Sequence, residues 1–82
     1  MRKWTRTYEY GQEMSKIRKI FSANLRLHRK KKGMTQDELA EHLGISVRYV
    51  QVLEGKNPPN VKIETLDTIA KVLKIAAKDL IS

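Results

Sequence analysis

The chain has 82 residues and no cysteine. It is therefore one domain at most, with no disulfide framework and no thiolate metal site. Its net charge is +8, and no apolar run is long enough to cross a bilayer, so a cytoplasmic protein without a membrane association is expected.

Two histidines, His28 and His42, are too few for a metal site. No nucleophile–base pair, Gly-rich phosphate loop or ligand cluster has usable spacing. Neither an enzyme, a cofactor nor a small-molecule substrate is expected. The basic excess is also uneven. Residues 1–33 hold eleven Lys or Arg against Glu9 and Glu13, whereas residues 34–82 hold six against seven Asp or Glu. Such asymmetry points to a polyanionic partner, nucleic acid ahead of a membrane surface. A solvated basic face that serves only solubility is the plainer alternative.

Residues 1–15, MRKWTRTYEYGQEMS, show no helical or strand periodicity. Trp4, Tyr8 and Tyr10 alternate loosely with Arg2, Lys3 and Arg6. The segment is set apart as an N-terminal arm, flexible as untied chain ends usually are. A basic arm lying along DNA and an aromatic contact with a partner subunit are the other readings. A first helix is predicted from about Ser15 to Lys32, with Ile17, Phe21, Leu25 and His28 in one stripe that Ile20 widens. His28 reads as a packing residue. Arg29 to Lys32 suit the helix C-terminus, and Gly33 ends it.

The centre of the chain is TQDELAEHLGISVRYVQVLEG, residues 35–55. Thr35 and Glu38 have the spacing of a capping box. Leu39, Ala40 and Leu43 share a helical face, and Gly44 follows as a left-handed stop. Ser46 can cap a second helix over 46–54, on which Val50 and Leu53 face inward and after which Gly55 breaks the chain. Ala40 is small where a crossing helix needs room. Two short helices and a tight turn make a helix-turn-helix unit, whose second helix can enter a DNA major groove. An ordinary α-hairpin buried in a bundle would read the same from the turn alone.

GKNPPN at 55–60 is a loop. Lys56 and Asn57 follow the second helix directly and would lie near a DNA backbone if that helix were docked. A further helix is predicted from Ile63 to Leu73, with Ile63, Leu66, Ile69, Ala70 and Leu73 inward and Lys62 in place of a capping Ser or Thr. A last short helix, about Ala77 to Ile81, brings in Leu80. Ala76, Ala77 and Ile81 leave an apolar end suited to a dimer contact.

Together, LRLHRKKKG at 25–33, MTQDELAEHLGIS at 34–46, VRYVQVLEGK at 47–56 and ETLDTIAKVL at 64–73 resemble one family. It is the Cro/C1-type (Xre-like) helix-turn-helix family of phage repressors, restriction-modification controller proteins and small bacterial regulators. The resemblance runs from about Phe21 to Leu80. It implies an all-α, five-helix lambda-repressor-like domain over residues 16–82, behind a basic N-terminal extension. It also implies a repressor-like transcriptional regulator, bacterial or phage-encoded and nucleoid-associated, a homodimer on a two-fold operator in double-stranded DNA.

Residue roles follow from the same resemblance. Arg29 and Glu54 match a partly buried ion pair beneath the recognition helix. Gln36 matches a glutamine that binds a phosphate and braces that helix. Ser46, Val47, Arg48 and Tyr49 match the turn that reaches base edges. Arg48 suits guanine O6 and N7, Val47 a thymine methyl, and Tyr49 either a phosphate or support of the helix. Gln51 and Val52 extend the readout. The chain departs from the family in its valines, Val47, Val50 and Val52. It departs also in the acidity of 34–55, where Arg48 stands alone against Asp37, Glu38, Glu41 and Glu54. Val47 and Val52, read as exposed, keep a second class open, a protein-interaction module of the same fold, such as an antitoxin or antirepressor-like partner.

Overall fold

The computed structural model describes residues 7–82, with side chains from Lys16 onward. Four α-helices follow one another: α1 (Thr7–Lys31), α2 (Gln36–Leu43), α3 (Val47–Leu53) and α4 (Ile63–Leu73). A 3-10 helix, Ala77–Leu80, closes the chain. The architecture is all-α, and the fifth element is one tight 3-10 turn where an α-helix was expected.

The helix ends follow from their residues. Thr35 Oγ1 accepts from the Glu38 N–H at 3.0 Å, and Glu38 Oε1 accepts from the Thr35 N–H at 2.8 Å. This reciprocal pair satisfies donors that the first turn of α2 would leave open. Gly44 is left-handed, with φ of 71°. The Ile45 N–H then reaches back to the Ala40 carbonyl at 3.0 Å and the Gly44 N–H to that of Glu41 at 3.2 Å. That pair of hydrogen bonds turns the chain sharply, so Ser46 starts α3 almost at once.

Every element contributes to a single core. Phe21 and Leu25 of α1 meet Leu39 and Ala40 of α2, Val50 and Leu53 of α3, Ile69, Ala70 and Leu73 of α4, and Leu80. Ala40, 4% exposed, is small at the point where α2 packs on α3. Each fully buried Leu or Ile contributes about 1.5–3 kcal/mol by leaving water. Such contributions hold α2 and α3 in place, since helices of eight and seven residues are too short to persist alone.

Two expectations need correction. Helix α1 begins at Thr7, about two turns before Ser15. Glu9 and Glu13 suit a helix N-terminus, and extending an anchored helix needs no new nucleus. Only Gly11 in this run opposes it. Residues 1–6 of the expected arm lie outside the described residues. The inward faces are also narrower than predicted. Ile17 and Ile20 are 47% and 40% exposed, and Ile63 is 82% exposed. Ile17 borders an open apolar cleft with Phe21, Val61, Leu66 and Ile81, so only part of it leaves water. Ile63 is the first residue of α4, where side chains lean back past the helix end.

Candidate nucleic-acid interface

Helix α3 is built so that one side is locked and the other is free. Ser46 has extended backbone, and its Oγ accepts from the Tyr49 N–H at 3.1 Å, which caps the helix. Val50 and Leu53 on the inner side are fully buried. Ser46, Arg48, Tyr49, Gln51 and Val52 all face solvent on the outer side. Val47 is half-buried and packs against the core, so it has less surface to offer than its outer-face neighbours.

The C-terminal end of α3 is fastened to α1 by a buried cluster. Arg29 Nε donates to Glu54 Oε2 at 2.6 Å and Arg29 Nη2 to Glu54 Oε1 at 2.9 Å. This is the two-pronged geometry that a planar guanidinium and a carboxylate favour. The remaining prong, Nη1, donates to the Met34 carbonyl at 2.8 Å. Gln36 Nε2 donates to Glu54 Oε1 at 3.0 Å, so the first residue of α2 joins the same cluster. The last turn of a helix leaves carbonyls without partners. Here Arg26 Nη1 donates to the Glu54 carbonyl at 3.0 Å, and Ser22 Oγ to that of Gly55 at 3.1 Å.

Three groups of predicted residues therefore separate in space. Arg29 and Glu54 form one buried knot, which the half-buried Gln36 joins from its edge. Ser46, Arg48, Tyr49, Gln51 and Val52 form one outward face. Lys56 and Asn57 are exposed in the loop after α3, beside α1. Sequence reasoning missed Ser22 and Arg26, which close the end of α3. The signal was present: Lys19, Ser22, Arg26 and Arg29 recur at helical spacing, which puts a polar stripe on one face of α1.

The acidity of the central unit is partly internal. Glu38 is engaged by the α2 cap and Glu54 by Arg29. Asp37 and Glu41 remain exposed without such engagement. The partner of Glu38 is a neutral backbone N–H, so Glu38 keeps its charge as Asp37 and Glu41 do, and an approaching polyanion meets one negative charge fewer, that of Glu54, than the composition of 34–55 implies.

Comparison with known proteins agrees with this geometry. Residues 24–82 match the Cro/C1-type helix-turn-helix DNA-binding domain. A Neisseria hypothetical transcription factor, from Neisseria meningitidis serogroup B, is 34% identical over 65 residues, or 79% of this chain. The chain spans 60% of that relative's length. The crystal structure of the hypothetical transcription factor NHTF from Neisseria superposes with a TM-score of 0.73 at 32% identity, covering 79% of this chain and 72% of that one. A crystal structure of the clp gene regulator ClgR from Corynebacterium glutamicum gives 0.72 at 33% identity, covering 78% of this chain and 67% of the other. The chain belongs to the Cro/C1-type helix-turn-helix DNA-binding domain family.

Proposed function

We propose that this chain is a sequence-specific, DNA-binding transcriptional regulator of repressor-like action in the bacterial cytoplasm. It acts as a homodimer on a two-fold operator, with α3 in the major groove of each half-site. The observation that carries the reading is the division of α3 into a fastened inner side and a free outer face headed by Ser46, Arg48 and Tyr49. A rod fixed at both ends presents these side chains without further ordering, and preorganisation of this kind favours affinity.

Roles at the interface follow from chemistry. Arg48 supplies a fork for guanine O6 and N7, and Gln51 supplies an amide for an adenine edge. Tyr49 and Ser46 offer hydroxyls to phosphate. Val52, 40% exposed, suits a thymine methyl, as does the accessible part of Val47. Gln36 uses one N–H on Glu54 and keeps its second N–H for a phosphate at the start of α2. Lys56 and Asn57 meet the backbone without reading sequence.

Selection of binding sites from random duplex DNA, at two salt concentrations, tests the reading. A consensus with two-fold symmetry, weakened by salt, is the expected result. Failure to enrich any sequence rejects it. Transcription from a promoter overlapping the selected site should fall when the protein is present. A second reading rests on Val52 and the aromatic ring of Tyr49, both exposed. They also suit a protein surface, which makes the chain a protein-interaction module. A stoichiometric protein partner, with no retention on selected or random DNA, would favour that reading.

A further inference from the structure

The face of α1 that fastens α3 continues into an open trough. Lys19, Ser22 and Arg26 form one bank, and Gly55, Lys56 and Asn57 form the other. The trough holds about 750 Å³, the scale of sites that take whole ligands rather than single ions. A smaller hollow adjoins it and adds Arg18 beside Lys19, Lys56 and Asn57. Four cations from two elements thus flank one channel.

The charge of this channel is not cancelled from within. Glu54 is the one carboxylate residue along it. Its side chain is 3% exposed and is turned inward onto Arg29. The ion pairs among the described residues are Arg29–Glu54 and Lys71–Asp67, and neither draws on Lys19 or Lys56. Arg18 and Arg26 each place one Nη1 on a neutral oxygen, Asn60 Oδ1 and the Glu54 carbonyl, which orients them and leaves their charge in place.

Position gives the occupant. Helix α3 has seven residues, about 10 Å of rise. A major groove is about 12 Å wide. The trough adjoins Glu54 and Gly55, at the opposite end of α3 from Ser46 and Arg48, so with α3 in a groove a flanking strand is within reach of its four cations. We propose that α1 is itself a phosphate-binding element: Lys19, Arg18 and Arg26 join Lys56 and Asn57 in a trough that holds the sugar–phosphate backbone of the duplex. This rests on the DNA-binding reading above and adds α1 residues that the helix-turn-helix unit does not contain. It also explains how a unit with Arg48 alone as its cation gains affinity, because phosphate contacts supply most of the sequence-independent attraction.

The test is a salt titration of duplex binding by the full chain, on a selected site and on random DNA. The variants are Lys19→Gln, Lys19→Arg, Arg48→Ala as a base-reading reference and, as a charge-matched control outside the trough, Lys78→Gln. Arg26 is left intact because it closes α3. For Lys19→Gln, the slope of log K against log salt should shrink by about 0.9, roughly a threefold smaller loss over a fourfold rise in salt. Affinity should fall alike on both DNAs, with base preference unchanged. Lys19→Arg should restore the slope, and Lys78→Gln should leave it near wild type. The trough is overturned if Lys19→Gln matches wild type on both DNAs while Arg48→Ala still relaxes base preference. An equal slope change in Lys78→Gln overturns it too, since net charge alone would then suffice. If the wild-type chain binds no duplex at all, the DNA-binding reading fails, and the trough fails with it.

Discussion

Glu54 is the residue on which three helices meet. Its carboxylate takes both prongs of Arg29 from α1 and the amide of Gln36 from α2, while its own backbone closes α3. Removing one partner of a buried pair leaves the other charged and dry, which costs about 3–5 kcal/mol. Glu64, exposed in the first turn of α4, lacks such partners, and its loss should stay within about 0.5 kcal/mol. Urea denaturation of Glu54→Ala and Glu64→Ala should therefore give clearly unequal losses, and equal losses would reject the assignment. At the outer face the expectation is about specificity instead. Arg48→Ala should cost about 1–3 kcal/mol at one base position, whereas Lys56→Ala should weaken all sequences alike. Competition assays against single-base operator variants separate the two, and an unchanged preference in Arg48→Ala would move the readout to other residues.

At the scale of elements, helix ends carry the clearest sequence record. Helices α2 and α4 end in the same pair of backward bonds, with a left-handed residue at the turn. In α2 that residue is Gly44, but in α4 it is Lys74, with φ of 57°. A side chain there costs about 1–2 kcal/mol, and glycine recovers part of it while loosening the unfolded chain. Lys74→Gly should stabilise by about 1 kcal/mol, or roughly 4–8 °C in Tm. Gly44→Ala should lower Tm by a similar amount, and a Lys74→Gly melt at or below wild type would contradict this account. The caps at Thr35 and Ser46, the stop at Gly44 and the core of α2 and α3 were legible because each depends on neighbours within one turn. Less legible was anything set by distance along the chain. The exposure of Ile17, Ile20 and Ile63 depends on how far the body extends beneath each helix, and periodicity carries no such information. The bonds from Ser22 and Arg26 to the end of α3 join residues about thirty apart. Even Arg29 and Glu54 were paired through family resemblance rather than spacing. The early start of α1 escaped notice because Thr7–Ser15 lacks an apolar stripe.

At the scale of the whole molecule, the distribution of charge and the number of copies decide how the protein meets a duplex. The basic excess lies in the first 33 residues, and the central unit stays net acidic even with Glu54 paired to Arg29, since Asp37, Glu38 and Glu41 face Arg48 alone. One subunit would present a single seven-residue helix to the bases, a small reading surface for a specific site. A second copy doubles the readout, and the two-fold axis between copies then fixes the distance between half-sites. Two-fold helix-turn-helix dimers place their half-sites about one turn apart, 10–10.5 base pairs. Inserting about 5 base pairs turns one half-site to the opposite face of the duplex. On a symmetric selected site, analytical ultracentrifugation should therefore show two chains per duplex, and the half-turn insertion should abolish joint occupancy. A full-turn insertion restores the facing but not the distance, so it should recover little of the affinity of a rigid dimer. A complex of one chain per duplex, with an affinity indifferent to the spacer, would reject the dimer while leaving base reading by a single α3 intact.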